Sequence, residues 1–106
     1  MWNHPEVFSK AACLSPAFKV EWIDYVSTVK SYAGHKKQLL FYIDNGGIGI
    51  EQKLQPGIDE MISALNEKGY EENKEYFWKK FIEDEHNENA WSKRFYIPLQ
   101  FFFGMN

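Results

Sequence analysis

The sequence is poor in cysteine, and this excludes two kinds of site. Its 106 residues contain one cysteine, Cys13. Neither an intrachain disulfide nor a metal site built from several cysteines can therefore form. Cys13 lies in the apolar run AACL at residues 11–14, which predicts a buried structural thiol rather than a nucleophile.

Long hydrophobic segments are also lacking. No apolar run approaches the ~20 residues that a membrane-spanning helix needs. The first residues, MWNHP, have neither the basic region nor the apolar segment of a signal peptide. We therefore expect no membrane partner. The cellular compartment stays open, because a longer parent could carry a leader of its own.

The sequence has no excess of positive charge. The formal net charge is -3, and the basic residues come in separated pairs mixed with acids, of which Lys93 and Arg94 are one. Such pairs are typical of a solvated surface, and we expect no nucleic-acid partner, because binding to phosphates needs clustered Lys and Arg. Aromatic residues, at 18%, are abundant and predict a well-packed core or a sizeable contact surface.

Three short apolar runs predict β-strands. The run LLFYI at residues 39–43 has no polar alternation, which is typical of a strand covered on both faces in a parallel sheet. The others end in turn signals such as Ser15-Pro16. Strands are therefore expected at residues 11–14, 39–43 and 76–82.

Helical periodicity follows each of these runs. Ile58, Met61, Ile62 and Leu65 form one apolar stripe after Pro56, which suits a first turn. Helices are expected at residues 20–32, at residues 56–68 and from about residue 90, where Pro98 should kink the last one. The alternation predicts an α/β fold with three layers: a partial parallel sheet of about three strands with flanking helices.

Ligands of open α/β sheets bind at the carboxyl ends of the strands, so the loops there are the places to look for chemistry. The last loop contains His86, a candidate general base because imidazole titrates near neutral pH; a solvated surface histidine is the alternative. The preceding loop contains Asp44 and Glu51, either of which could orient that histidine. Without further context, the segment DNGG at residues 44–47 is simply a turn.

Metal and cofactor sites are weakly supported. His86 has only the carboxylates Asp84, Glu85 and Glu88 nearby in sequence, whereas zinc sites use several His or Cys ligands at structured spacing. The glycines after residue 45 match neither GxGxxG nor GxxxxGK[ST]. We therefore expect neither a metal nor a cofactor.

Three stretches in this order resemble one family. They are HPEVF at residues 4–8 followed by AACLSPAF at 11–18, LFYIDNG at 40–46, and EHNE at 85–88 with Trp91 after it. They are similar to the esterase group of α/β-hydrolases that includes enterochelin esterases, feruloyl and acetylxylan esterases and S-formylglutathione hydrolases. The resemblance implies that His86 is the catalytic base. It places the acid near Gly49, so that Glu51 ranks first and Asp44 second; some relatives work with a Ser–His pair alone.

The sequence departs from this family at its nucleophile. It has no G-x-S-x-G motif and no upstream oxyanion loop. We therefore interpret residues 1–106 as the C-terminal portion of an esterase-like α/β-hydrolase domain, inactive alone, whose full-length parent would act on a small-molecule ester.

Two alternatives remain. The chain could be a non-enzymatic module that binds a partner or itself, because a sheet cut in this way leaves an unpaired edge at residues 11–14 or 39–43. A homo-oligomer is expected on this ground. The chain could also be a complete small α/β domain unrelated to hydrolases.

Overall fold

A computed structural model describes residues 9–84 and 86–104. The segment at residues 4–8 that contributes to the esterase resemblance, and Glu85 of the possible metal ligands, lie outside this range. In chain order the elements are β1 (Lys10–Leu14), β2 (Lys19–Val20), β3 (Ile23–Asp24), α1 (Val26–Lys30), β4 (Leu40–Gly46), α2 (Glu51–Glu67), β5 (Tyr76–Phe81), α3 (Glu88–Arg94) and α4 (Tyr96–Phe103).

A three-stranded parallel sheet lies at the centre of the fold. Its order is β1-β4-β5, with Leu14 opposite Asp44 and Asp44 opposite Lys79 at the carboxyl ends. The expected α/β class with a parallel sheet of three strands is confirmed. The alternative that residues 39–43 form a sheet edge is wrong, because β4 pairs on both sides.

The predicted helix over residues 20–32 is wrong. These residues form the antiparallel pair β2–β3 and then the short helix α1. The Asp24 carboxylate accepts hydrogen bonds from the Ser27 amide at 3.0 Å and the Ser27 hydroxyl at 2.6 Å. A side chain that satisfies a free amide in this way starts a helix at that point, and the β-branched residues before it favour strand over helix.

The second predicted helix begins earlier than expected. α2 starts at Glu51 rather than at Pro56, which lies inside it. Ile58, Met61 and Leu65 of the predicted stripe are buried, and Ile62 packs against the same core. The early start places Glu51 in the first helical turn, directly after the β4 loop. Within the part of the chain that the structure describes, no helix combines the length and the apolar character needed to cross a membrane.

The C-terminal helix is broken, as Pro98 predicts. α3 ends at Arg94, and α4 begins two residues later. A proline ring clashes with the carbonyl four residues before it, which here belongs to Arg94. The break therefore lies where the proline requires it.

Helix α2 packs closely on the β2–β3 pair through Gly57. A methyl group at Gly57 would lie 2.8 Å from the backbone nitrogen and 2.9 Å from the backbone oxygen of Lys19. Backbone atoms of a strand cannot move aside as a flexible side chain can. The close approach of these two elements therefore requires glycine.

Gly57→Ala should destabilise the fold, although the same exchange inside a helix normally stabilises it by about 0.5–1 kcal/mol. We expect the free energy of unfolding in urea to fall by about 1–3 kcal/mol because of overpacking. Ser63→Ala, on an exposed position of the same helix, is the matched control and should be neutral or slightly stabilising. A stabilised Gly57→Ala protein would contradict this packing.

Candidate functional site

The loops after β4 and β5 are joined at the carboxyl end of the sheet. The backbone oxygen of Asp84 accepts hydrogen bonds from the amides of Gly47 at 3.2 Å and Ile48 at 3.3 Å. A Cβ atom on Gly46 would lie 2.1 Å from the same oxygen. Glycine is therefore required at residue 46 for the two loops to meet.

This junction brings His86 and Glu51 together. His86 Nδ1 lies 3.2 Å from Glu51 Oε2. The Glu51 side chain is fully buried, whereas that of His86 is 34% exposed. The Trp91 ring stands edge-on to the imidazole at a centroid distance of 4.9 Å. The ring of His86 is thus fixed on two sides and remains accessible.

The second carboxylate oxygen of Glu51 is held by the protein. Glu51 Oε1 accepts hydrogen bonds from the Gly46 amide at 3.0 Å and from the Ser15 hydroxyl. One oxygen is therefore anchored, and the other faces the histidine. A carboxylate has lone pairs for all of these contacts.

Ser15 lies next to this pair but is not placed as a nucleophile. It is 4% exposed, and its hydroxyl donates to Glu51 rather than to His86. Its oxygen accepts hydrogen bonds from Trp91 Nε1 at 3.1 Å and Arg94 Nη2 at 3.2 Å. Neither the lone pairs nor the proton of this hydroxyl are free for attack on a substrate.

Asp44, the second candidate acid, is engaged in an ion pair with Arg94. Two bonds of 3.0 Å join the guanidinium Nε and Nη2 to the two carboxylate oxygens, and the Tyr42 hydroxyl donates to the same carboxylate at 2.7 Å. Among the described residues Asp44 forms no hydrogen bond or ion pair with His86. The structure thus brings Glu51 to the histidine and does not bring Asp44; whether either acts in catalysis stays a prediction.

Arg94 connects the ends of all three strands. Its Nη1 donates to Asp84 Oδ2 at 2.7 Å, in addition to the bonds to Asp44 and Ser15. Burial lowers the pKa of the guanidinium, but the Asp84 hydrogen bond and the Asp44 charge outweigh burial and raise it overall. The expectation that Lys93 and Arg94 both lie on a solvated surface is wrong for Arg94, which is 2% exposed.

Burial also changes the pKa of Asp44, the acidic partner in this ion pair, and of the neighbouring thiol of Cys13. It raises the pKa of the Asp44 carboxyl, against the opposing effects of the Tyr42 hydrogen bond and the Arg94 charge. It raises the pKa of the Cys13 thiol to about 11, with a further contribution from the Asp44 charge. The half-buried Cys13 is therefore a protonated thiol at neutral pH, and a protonated thiol is a poor nucleophile.

The arrangement is suited to accepting a proton. If Glu51 accepts a hydrogen bond from Nδ1–H, the lone pair of the neutral imidazole lies on Nε2. In the segments 9–84 and 86–104, Nε2 has no hydrogen-bond partner, and no three potential metal ligands cluster together. The site can take a proton from a group that approaches Nε2.

Comparison with known proteins assigns no family to this chain. No protein-family model, no curated protein and no solved structure matches it. Its function must therefore be argued from the residues and their geometry.

The contacts of three residues with the acid and its neighbours were not predicted. Ser15 and Trp91 stand in the stretches of the esterase resemblance, but the sequence gives neither of them a role near the acid. Arg94 carries no local signal beyond the predicted helix. It is 50 positions from Asp44 in the chain, and the two meet only in the folded structure, where Arg94 on α3 reaches Asp44 on β4.

Arg94→Met should remove the ion pair and leave the buried Asp44 carboxylate with its Tyr42 hydrogen bond but without a cationic partner. Such losses cost about 3–5 kcal/mol, and we expect a fall of about 3 kcal/mol in the urea unfolding free energy. Lys93→Met, on the exposed neighbouring position, should change it by less than about 0.5 kcal/mol.

Adding Asp44→Asn to Arg94→Met should recover part of that loss, because the uncompensated charge is removed. If Arg94→Met were no more costly than Lys93→Met, the ion pair would not stabilise this end of the sheet.

Proposed function

We propose that this chain supplies the histidine and the acid of a serine ester hydrolase, with the nucleophilic hydroxyl outside residues 1–106. The observation that carries the proposal is the 3.2 Å contact between His86 Nδ1 and the buried Glu51 carboxylate. A buried acid on Nδ1 and an accessible opposite edge are what a histidine needs to act as general base.

In this mechanism each residue has one task. Glu51 accepts the Nδ1–H hydrogen bond and holds the imidazole in the tautomer whose lone pair is on Nε2. His86 Nε2 takes the proton of a serine hydroxyl while the serine oxygen adds to the ester carbonyl. The imidazolium, stabilised by Glu51, then returns the proton to the leaving alcohol, and water releases the acyl group by the same route.

The order of the elements supports the same proposal. The acid follows the middle strand β4, and the histidine follows the edge strand β5, so both lie at the carboxyl end where α/β enzymes bind substrates. We assign the chain on this basis to the C-terminal portion of an α/β-hydrolase domain of the esterase type. The substrate class is a small-molecule ester, and the chemistry requires no cofactor because side chains perform every proton transfer.

The reading frame upstream of the Met1 codon provides the decisive experiment. We expect it to encode an in-frame G-x-S-x-G, and the extended protein to react with a fluorophosphonate probe at that serine. His86→Ala should slow labelling by roughly 10³-fold or more, and Glu51→Gln should slow it in the same direction. The exposed histidine variant His35→Ala is the matched control and should label like the parent.

Two results would contradict this function. One is an upstream frame without such a serine. The other is an extended protein whose labelling is the same with and without His86. The chain of residues 1–106 alone should show no turnover of a short-chain 4-nitrophenyl ester that depends on His86.

Self-association through a sheet edge is a second candidate function. In the described residues β1 pairs with β4 on one side only, and Ala12 in its middle is exposed. An apolar strand with an unpaired edge is a template for pairing with another chain. If the β1 strands of two copies paired with each other, the two sheets would form one continuous sheet across the dimer.

Sedimentation velocity tests this second candidate. We expect a dimer for the unmodified chain and a shift towards monomer for Ala12→Lys, because an edge lysine opposes strand pairing. Ser63→Ala, away from the sheet on α2, should leave the dimer intact. A monomer at every concentration of the unmodified chain would rule out association through β1.

A further inference from the structure

We infer that Ser15 is a positioning residue for the histidine–acid pair, a role that rests on the function proposed above. Ser15 does not touch the imidazole. It acts on Glu51, and through Glu51 it selects which nitrogen of His86 carries the proton.

The two oxygens of Glu51 have separate environments. Oε1 receives the Ser15 hydroxyl and the Gly46 amide, and Oε2 receives His86 Nδ1. With two donors on one oxygen, the carboxylate cannot rotate without breaking hydrogen bonds in a fully buried place. Oε2 therefore keeps its direction towards Nδ1.

The direction of the Ser15 hydroxyl is itself fixed by two donors. Trp91 Nε1–H and Arg94 Nη2–H both point at Ser15 Oγ and have no acceptor role of their own. They occupy the lone pairs of the oxygen, so the hydroxyl proton is left to face Glu51. A serine with this surrounding is a donor to the acid and cannot turn away from it.

The backbone holds Ser15 where this contact is possible. Its φ is +50°, which lies in the left-handed region that residues other than glycine, asparagine and aspartate rarely adopt. Its amide donates to the Asp44 carbonyl at 2.8 Å, which continues the β1–β4 pairing beyond the strand. Strain of this kind persists only where surrounding contacts impose it.

Trp91 closes the set of contacts. Its indole nitrogen binds Ser15, and its ring stands against the His86 imidazole at 89°. One side chain thus fixes both the donor to the acid and the plane of the histidine. The contacts of His86 with Glu51, Glu51 with Ser15, Ser15 with Trp91 and Trp91 with His86 thus form a closed ring.

The tautomer of His86 measures this role directly. Long-range ¹H–¹⁵N correlation spectra of the neutral ring distinguish Nδ1–H from Nε2–H. We expect the Nδ1–H form to dominate in the unmodified chain. Ser15→Gly and Ser15→Ala should each lower the ratio of Nδ1–H to Nε2–H about threefold, the effect of one lost hydrogen bond.

The glycine and alanine variants of Ser15 distinguish the effect of losing the hydroxyl from the effect of straining the backbone. Glycine adopts a φ of +50° without strain and alanine does not, so a shift shared by both comes from the hydroxyl. Trp91→Phe keeps a ring against His86 and removes the N–H donor, and it should shift the ratio in the same direction by a smaller factor. Ser63→Ala should leave the ratio unchanged.

Each outcome decides a different point. An unchanged ratio in Ser15→Gly, or a shift confined to Ser15→Ala, would overturn the positioning role and leave the function intact. Glu51→Ala must lower the ratio further than either Ser15 variant. If Glu51→Ala left the ratio unchanged, the pairing of Glu51 with His86 would fail, and the proposed function would fail with it.

Discussion

The ion pair between Arg94 and Asp44 is the interaction on which this end of the molecule depends. Asp44 lies in the buried part of β4, and Arg94 is the last residue of α3. Their two hydrogen bonds therefore fix helix α3 against the central strand. The same guanidinium binds Asp84 after β5 and Ser15 after β1. One cation thus serves the carboxyl ends of all three strands. A buried cation is tolerated only with such partners, because an unpaired one costs several kcal/mol.

This ion pair also makes the surroundings of the two candidate acids differ, Asp44 on β4 and Glu51 on α2. Arg94 and Tyr42 occupy the oxygens of Asp44, so its charge is neutralised inside the fold. Glu51 is as fully buried, but its partners are neutral donors and an accessible imidazole. A carboxylate without a cationic partner stabilises an imidazolium more than one already paired does. Local environment, rather than distance from the turn, separates a structural acid from one that can assist a base.

The elements that could be predicted from the sequence are those with a strong local signal. The run LLFYI, the stripe on α2 and the break before Pro98 each depend on residues close together in the chain. The prediction of a helix over residues 20–32 was wrong, because α1 begins only after Asp24, whose side chain binds the Ser27 amide. The spacing of apolar residues carries no information about such a hydrogen bond. His86 and Glu51 could be named from the order of strands and loops. Ser15 and Arg94 could not, because the contacts from Ser15 to Glu51, from Arg94 to Asp44 and from Arg94 to Ser15 join residues that are 36, 50 and 79 positions apart in the chain.

The position of Ser15 sets a requirement on any partner of this site. A serine, an acid and a histidine lie together here, but the serine is on the acid and not on the imidazole. Acyl transfer needs the reverse order, with the hydroxyl on Nε2 and the acid on Nδ1. Among residues 9–84 and 86–104, the imidazole nitrogen opposite the acid, Nε2, has no hydrogen-bond partner. In the proposed hydrolase, a nucleophilic hydroxyl from outside residues 1–106 therefore has to approach Nε2. The side-chain donors of Ser15, Trp91 and Arg94 are not available to stabilise a developing oxyanion there, because they are already bonded to Glu51, Ser15, Asp44 and Asp84.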